Sequence, residues 1–232
     1  MTSRSDERAL ELLESRGRIA VFPLPGVVLF PRVFLPLHIF EPRYRKMIED
    51  SLGADRLIAM ALLKPGWEEG YHGSPEVYPI ACAGVIEDEA RLPDGRFNIR
   101  LRGLARVEIL GFVQDSPYRV SAIRVLHDGN EQGGPGVEEE KKRLLGLCAG
   151  LLHEMSGGLE RPLALDSEIP FATVVNSLCQ SLAMEPEVKQ GLLALDDVRL
   201  RCRGLTDILE RRWQEIALLR SGDKSPTGGA VH

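Results

Sequence analysis

One apolar, proline-rich segment constrains the fold of this chain more than any other feature. Residues 19–48 read IAVFPLPGVVLFPRVFLPLHIFEPRYRKMI, and Arg32 is the only charged side chain before Glu41 when histidine is counted as neutral. The prolines exclude one continuous helix, because proline lacks an amide hydrogen and clashes with the preceding turn. We therefore expect two short buried strands, residues 18–24 and 34–39, joined by a crossing loop. A helix should then start at the Glu-Pro pair, since proline is tolerated in a first helical turn.

Residues 56–126 predict further strands rather than helices. The tripeptide PDG at residues 93–95 is a strong hairpin signal. Apolar and polar residues alternate along 97–102, a pattern typical of a half-buried strand, and Gly84 is a candidate bulge. The expected strands span residues 56–63, 77–90 (one long strand or two), 97–102, 107–113 and 118–126. Several short strands with a single helix among them predict a small barrel or half-barrel.

The spacing of apolar residues changes at the polar, glycine-rich stretch HDGNEQGGPG, residues 127–136. Beyond it the spacing of apolar residues is helical. The expected helices start at Val137, near Ser167, at Pro186 and near Asp197, and the last one reaches Arg220. The chain therefore predicts a β-rich domain (1–127), a linker (128–136), a helical subdomain (137–220) and a disordered tail (221–232). The fold class is α+β, a barrel with one or two helices followed by an all-α helical bundle.

Composition argues against several functional classes. A net charge of −5 offers no basic face for nucleic acid. No run of about 18 uncharged apolar residues occurs, so we expect no transmembrane helix, and the start of the chain lacks the apolar centre of a signal peptide. The four cysteines are scattered through apolar patterns, which predicts buried thiols rather than disulfides. These features are typical of a cytoplasmic globular protein.

Two long motifs carry a resemblance to a known family. PLPGVVLFPRVFLPLHIFEPRYR, residues 23–45, resembles the N-terminal substrate-binding domain of Lon proteases. ACAGVIEDEARLPDGRFNIRLRGLARVEI, residues 81–109, is similar to the family's second hallmark, a hairpin that ends in a Gly-Leu-x-Arg corner. Residues 170–209 are similar to the helical subdomain that follows in Lon. The resemblance spans residues 18–220 and implies a PUA-like pseudo-β-barrel followed by helices.

The resemblance also implies a binding function without catalysis. In full-length Lon this module precedes an ATPase and a protease domain with a serine–lysine dyad. Such an ATPase needs a phosphate loop that ends in Gly-Lys-Ser/Thr, and this sequence contains no Gly-Lys dipeptide. We therefore expect a stand-alone, ATP-independent bacterial protein, not an enzyme, that binds unfolded or exposed apolar polypeptide. Its partners would include a protease or chaperone acting in trans, and the chain would be a monomer or a weak homodimer.

Individual residues give no catalytic, cofactor or metal site. His153-Glu154 lacks the second histidine of H-E-x-x-H, because Gly157 stands there, and the cysteines lack zinc-site spacing. His38, within LPLHIF, is predicted to be a core histidine. We expect Glu41 to cap the helix that follows it, while Arg43 pairs with a neighbouring acid.

Two aromatic side chains are the candidate partner-binding residues. Trp67 and Tyr71 lie in the loop KPGWEEGYHGSPE, residues 64–76, and loops carry a disproportionate share of binding residues. The alternative is that both rings fold back onto the body of the protein. The final helix is a further candidate for self-association or for a partner.

Three arginines raise an alternative function. Arg100, Arg102 and Arg106 recur along one β-rich segment, and we expect them to form a solvated sheet face. The fold implied by the resemblance is also similar to PUA-like RNA-binding barrels, so an RNA- or nucleotide-binding protein is the first alternative, although the net acidity argues against it. A peptidase-related enzyme with an unrecognised site is the second alternative.

Overall fold

A computed structural model describes residues 4–70, 73–130, 134–155 and 169–222. Within these residues the chain forms one six-stranded sheet, six α-helices and a short 3₁₀ helix, Trp67–Gly70. The strands are β1 (Arg18–Leu24), β2 (Phe34–Ile39), β3 (Leu57–Leu62), β4 (Ile80–Arg91), β5 (Phe97–Gln114) and β6 (Arg119–Leu126). The helices are α1 (Arg4–Arg16), α2 (Pro42–Leu52), α3 (Val137–Met155), α4 (Phe171–Ser181), α5 (Pro186–Ala194) and α6 (Val198–Gly222).

The sheet closes into a barrel through its longest strand. The strand order is β2-β5-β4-β3-β1-β6, and β5 pairs with β6 as well, so that β5, β4, β3, β1 and β6 form a ring. Strand β2 lies outside this ring, antiparallel to β5. Strand β5 is 18 residues long. Its first part pairs with β2 and its second part pairs with β6. The predicted barrel is confirmed, as are the predicted strands at 18–24 and 34–39.

Strand β5 differs from the prediction of two separate strands. It runs without a break from Phe97 to Gln114 because β4 pairs with it along most of that length. A register shift lies where Ala83 pairs with Ala105 and Gly84 pairs with Gly103. The two partners on β5 are two steps apart, whereas the two on β4 are adjacent. Leu104 is therefore an extra residue on β5, which is a bulge. The predicted irregularity at Gly84 is confirmed.

The crossing loop between β1 and β2 lies directly on β5. The backbone N of Arg32 donates to Gly103 O at 2.8 Å, and Gly103 N donates to Val33 O at 2.9 Å. A Cβ on Gly103 would lie 2.8 Å from the carbonyl carbon of Phe30 and 3.1 Å from Cα of Pro31. Only glycine allows two backbones to approach so closely. The two sequence motifs therefore meet at this glycine.

The barrel and the helices share one hydrophobic core. The main cluster contains Phe30 and Leu101 of the barrel side together with Val175, Leu193 and Leu205 of the helices. A second cluster fills the barrel beneath α1. The backbone after β6 is also tied to the start of α6, since residue 129 donates from N to the carbonyl O of residue 196 at 2.7 Å.

The domain boundaries proposed from the sequence stay predictions. Residues 131–133 of the linker and 223–232 of the tail lie outside the described residues, as does Ser167, the expected start of the second bundle helix. Helix α4 begins at Phe171 in the structure, after Pro170 in the N-cap position.

Helices α3 and α6 are joined by a charged cluster. Glu140 on α3 accepts hydrogen bonds from Arg199 at 3.0 Å and from Arg203 at 3.0 Å. The hydrogen bonds from Arg199, followed by those from Arg203, hold the pKa of the Glu140 carboxyl below its ordinary value of 4.5. Both arginines lie on α6, so this carboxylate stabilises the contact between the two helices while it is ionised.

We expect the Glu140→Gln variant to lose about 0.5–1 kcal/mol of unfolding free energy at neutral pH, the range of a partly exposed ion-pair network. Because the folded-state pKa is lowered, the contribution is complete above about pH 4.5 and is lost as the pH falls through the folded pKa. Urea unfolding of both proteins at pH 7 and in acid measures this difference. The exposed Glu215→Gln variant on α6 is the control, and an equal, pH-independent loss in both variants would contradict the assignment.

Candidate functional site

The outer face of β2 carries a row of solvent-facing side chains. Phe34, Pro36, His38 and Phe40 are exposed, and they form what we call the β2 strip. Phe34 is 46% exposed and Phe40 is 60% exposed. The rings of His38 and Phe40 stack with their centroids 6.3 Å apart. The strip is therefore a mainly apolar surface about 20 Å long, given about 3.3 Å per residue.

Polar neighbours on β5 and β4 hold the strip in place. The Arg100 guanidinium lies over the Phe34 ring, 4.9 Å from its centroid, and pairs with Asp88 at 2.5 Å. His38 Nδ1 lies 2.6 Å from Asn98 Oδ1. An aromatic ring with a guanidinium above it is a favourable cation–π pair.

The prediction of a core histidine at position 38 is wrong. Both faces of LPLHIF are apolar enough to face a core, so the sequence leaves the choice of face open. In the structure Leu35 and Leu37 are half-buried and Ile39 is buried, which places the even-numbered residues outside. His38 is therefore exposed because alternate residues of a strand point to opposite faces.

Strand β2 is an edge strand. Within the described residues its partner is β5, on one side. Pro36 has no amide hydrogen, which suits an edge position. At the start of the strand Gln180 on α4 donates from Nε2 to Phe34 O at 3.3 Å. An extended polypeptide can lie along such an edge and place alternate side chains on the strip.

A cleft of about 400 Å³ is lined by Pro31 and Arg32, just before β2. It lies between α1, the crossing loop, the middle of β5 and the start of α4. Arg102, the cross-strand partner of Phe34, lines it and donates to Asp6 of α1 at 2.6 Å. Burial lowers the pKa of the Arg102 guanidinium, but hydrogen bonds to Glu87 and Asp6 outweigh burial and hold that pKa above its usual value. Arg102 therefore stays charged on the wall of the cleft.

Arg106 is not on a solvated face, so that part of the prediction is wrong. Its side chain is 1% exposed and pairs with Asp128. The bulge at Leu104 gives β5 one extra residue relative to β4. One extra residue moves every later side chain to the opposite face. Arg106 therefore points toward the helices, whereas Arg100 stays outside and Arg102 is only partly covered.

A buried polar network, which we call the junction network, joins the barrel to the helices. It consists of Arg106 on β5, Asp128 after β6, Asn176 on α4 and Arg201 on α6. Asp128 accepts from Arg106 and, at 3.0 and 3.3 Å, from Arg201. Arg201 also donates to Asn176 Oδ1 at 2.7 Å, and Asn176 Nδ2 donates to Pro31 O at 3.0 Å. The network thus connects the crossing loop, strand β5, the segment after β6, and helices α4 and α6.

Sequence reasoning missed the junction network. The arginine of the Gly-Leu-x-Arg corner, followed by an aspartate just after a strand, was the available signal. Arg201 also bonds the carbonyl oxygens of Leu192 at 3.0 Å and Leu195 at 2.8 Å. These bonds show that its role is to hold the chain before α6 against the barrel.

The cysteine side chains are not exposed to solvent. All four cysteines are free and buried, as predicted. Burial raises the pKa of the Cys179 thiol to about 12 and that of the Cys148 and Cys202 thiols to about 11. They stay protonated at neutral pH, and a protonated thiol is not a nucleophile. In the part of the chain that the structure describes, no group of three or more histidine, cysteine or acidic side chains is placed to hold a metal ion.

The remaining candidate residues are separate from the strip. Trp67 is half-buried in the 3₁₀ helix, on the loop that follows β3, and β4 and β5 separate β3 from β2 in the strand order. Tyr71 lies outside the described residues. Glu41 occupies the N-cap of α2, but its carboxylate accepts from Arg43 Nε at 3.0 Å instead of capping the helix. The predicted pairing of Arg43 with a neighbouring acid is confirmed. The prediction that the Glu41 side chain caps the helix is wrong.

Across the four described ranges, no helix combines the length and apolarity that a membrane span requires. Helix α6 is long enough at 25 residues, but charged side chains recur along it.

Known structures share this fold. A Lon N-terminal domain protein from Xanthomonas campestris superposes with a TM-score of 0.59 at 23% identity, covering 81% of this chain and 96% of that one. The N-terminal domain of Lon protease from the Mycobacterium avium complex superposes with a TM-score of 0.58 at 14% identity, covering 83% and 98%.

Sequence comparison also finds similarity to Lon proteases. Lon protease 1 of Herpetosiphon aurantiacus is 29% identical over 196 residues, which is 79% of this chain and 24% of that protein. Lon protease of Parabacteroides distasonis is 28% identical over 225 residues, which is 93% and 26%. The chain thus spans about a quarter of the length of these relatives. A family model for the ATP-dependent protease La (LON) substrate-binding domain matches residues 18–211. Since that match covers most of the sequence, the chain belongs to the family of Lon substrate-binding domains.

Proposed function

We propose that this protein is a non-enzymatic module that binds unfolded polypeptide or polypeptide with exposed apolar side chains, and that the β2 strip is its contact surface. The observation that carries the proposal is the exposure of Phe34 and Phe40 in one row along an open sheet edge. A contiguous apolar surface on an otherwise charged protein marks an interaction site. Membership of a substrate-binding family supports the same function.

Binding at the strip would use hydrophobic contact and strand geometry. An extended polypeptide places every second side chain on one face, with the same spacing as Phe34, Pro36, His38 and Phe40. Each apolar side chain that becomes fully buried contributes about 1.5–3 kcal/mol. Because no bond is made or broken, the module needs neither ATP nor a catalytic residue.

The proposed partners follow from this role. The polypeptide is the direct ligand, and a protease or chaperone acting in trans in the cytoplasm would receive it. Trp67 and Tyr71 are proposed as a second contact on the loop after β3. We propose a monomer or a weak homodimer.

The test uses a reduced and alkylated, permanently unfolded protein as the ligand. We expect binding in the micromolar range, and we expect the Phe40→Ser variant to bind about tenfold more weakly, since about 1.4 kcal/mol of apolar contact is lost. Fluorescence anisotropy measures the affinity. Leu110→Ser on β5 is the matched control, because Leu110 is similarly exposed at 58% and lies away from the strip. The proposal would be contradicted if the wild-type protein did not bind, or if both variants lost the same amount of affinity.

The two alternative functions have less support. Each of the three arginines considered for nucleic-acid binding pairs with carboxylates: Arg100 with Asp88, Arg102 with Asp6 and Glu87, and Arg106 with Asp128. A face neutralised in this way releases few counterions from a phosphate backbone. A peptidase would be labelled by a reactive serine-hydrolase probe, and we expect no labelling of the pure chain.

A further inference from the structure

The backbone of β2 turns its even-numbered residues toward the free edge of the sheet. A backbone amide of β5 donates to Val33 O at 2.9 Å, so the odd-numbered residues direct their backbone groups toward β5. The carbonyl of Phe34 accepts instead from Gln180 of α4 at 3.3 Å. Because the residues of an antiparallel strand alternate between bonding and not bonding a given neighbour, Pro36 and His38 also direct their backbone groups away from β5.

The position of the proline agrees with these directions. Pro36 lies opposite Arg100 in the β2–β5 register but has no amide hydrogen to donate. A proline within a sheet is tolerated where its nitrogen faces away from the neighbouring strand. The hydrogen bonds and the proline therefore place the same backbone groups on the open edge.

This edge offers backbone groups to a further strand, namely the carbonyl of Pro36 and both the amide and the carbonyl of His38. Within the described residues, β5 is the only strand beside β2, and no backbone hydrogen bond joins these two residues to a turn, loop or helix. Both residues are exposed. Gln180 occupies the edge at Phe34, so a new ladder can run from Pro36 toward Phe40. Unpaired groups along a sheet edge are a template for another extended chain.

The residues that face the edge are also those that form the β2 strip. In an antiparallel pair, residues directly opposite each other lie on the same face, and at every second position they exchange hydrogen bonds. An antiparallel ligand strand therefore bonds the edge through the same residues whose side chains lie on the strip. In a parallel strand the bonded residues would direct their side chains to the other face. Antiparallel pairing is also slightly more stable per residue.

We propose that the polypeptide adds to β2 as an antiparallel strand and is held through the backbone amides of the residues whose side chains contact the strip. This inference rests on the proposed function and specifies its ligand. The residue opposite His38 exchanges two hydrogen bonds with it, and the residue opposite Pro36 donates to the Pro36 carbonyl. The ligand is thus an extended segment with free amides at alternate positions, rather than a helix or a loose apolar cluster.

The test uses a fluorescent, unstructured peptide of about ten residues, the upper length of a common strand, with apolar and polar side chains in alternation. One form carries N-methyl groups on three central apolar residues, and the matched control carries them on the three polar residues between these. We expect methylation of the apolar residues to weaken binding at least about tenfold, as for the loss of one or more hydrogen bonds. The control should bind as the unmethylated peptide does, because its methyl groups face away from β2. Fluorescence anisotropy measures both affinities.

A pair of protein variants tests the same hydrogen bonds from the side of β2. His38→Pro removes the edge amide, and His38→Ala keeps that amide while also removing the imidazole. Since this amide faces away from β5, proline there breaks no bond of the sheet. We expect His38→Pro to bind the unmethylated peptide about tenfold more weakly than His38→Ala. Far-UV circular dichroism checks that both variants fold, and the methylated peptides decide the outcome if the proline variant does not.

The possible results separate this inference from the proposed function. Equal affinity for the two methylated forms would overturn the inference while leaving polypeptide binding intact. A greater loss in the control form would indicate a parallel strand and overturn the antiparallel assignment. Absence of binding to the unmethylated peptide would remove the proposed function together with the inference.

Discussion

Replacing Asp128 with asparagine is expected to lower the free energy of unfolding by about 3–5 kcal/mol, the cost of breaking a buried ion pair from one side. Asp128 is the carboxylate between Arg106 and Arg201, which are 1% and 0% exposed. An asparagine keeps the size of the side chain but leaves two guanidinium groups buried without a counter-charge. The junction network connects the barrel to α4 and α6, so we expect the loss of stability to affect both the barrel and the helices.

Urea unfolding, followed by far-UV circular dichroism, measures this effect. Asp88→Asn is the matched control, because Asp88 also pairs with an arginine, Arg100, but its side chain is 64% exposed. We expect that variant to change stability by no more than about 1 kcal/mol, as for a surface ion pair. Equal effects in the two variants would mean that the junction network contributes no more than a surface pair.

Replacing Gly103 with alanine is expected to destabilise the protein by about 1–3 kcal/mol or more, the range for an overpacked site. The added Cβ would meet the backbone of the crossing loop at Phe30 and Pro31. Backbone atoms cannot rotate away as a flexible side chain can, so the loop must shift. That shift breaks the hydrogen bonds of Gly103 with Arg32 and Val33.

The opposite sign is expected for the same substitution at Gly146. This residue lies inside α3, and no described atom outside the local chain lies within 4 Å of the position of an added Cβ. Alanine there should stabilise the protein by about 0.5–1 kcal/mol, because glycine is a poor residue for a helix interior. Thermal or urea unfolding of both variants tests the pair. Destabilisation at Gly146, or no effect at Gly103, would contradict this account of close backbone contact.

Local patterns predicted much of the architecture. Prolines and apolar runs placed β1 and β2 at residues 18–24 and 34–39, in agreement with the structure. The PDG turn and the alternation after it placed the β4–β5 hairpin. Each of these signals depends on residues that are neighbours in the chain, which is why it is visible without the fold.

The candidate site was less accessible to sequence reasoning. The sequence predicts His38 in the core because both faces of its strand are apolar, and only the packing of Ile39 against the barrel decides which face is inside. The sequence predicts Arg106 on a solvated face because the spacing of residues does not reveal the one-residue bulge at Leu104. The β2 strip depends on the position of β2 at the edge of the sheet, which is decided by pairing between strands distant in the chain.

The amino-acid sequence by itself determined most of the elements, the barrel class and the family of this protein, because proline, glycine and apolar spacing act on the nearby chain. Only the tertiary structure decided where charge and apolar surface meet. Arg106, Asp128, Asn176 and Arg201 lie on four separate segments of the chain. They become one network only because the bulge turns Arg106 toward the helices and the helices pack on the barrel. The cleft lined by Pro31 and Arg102 exists for the same reason, since its walls come from segments that are distant in the chain and are brought together by burial of a shared core.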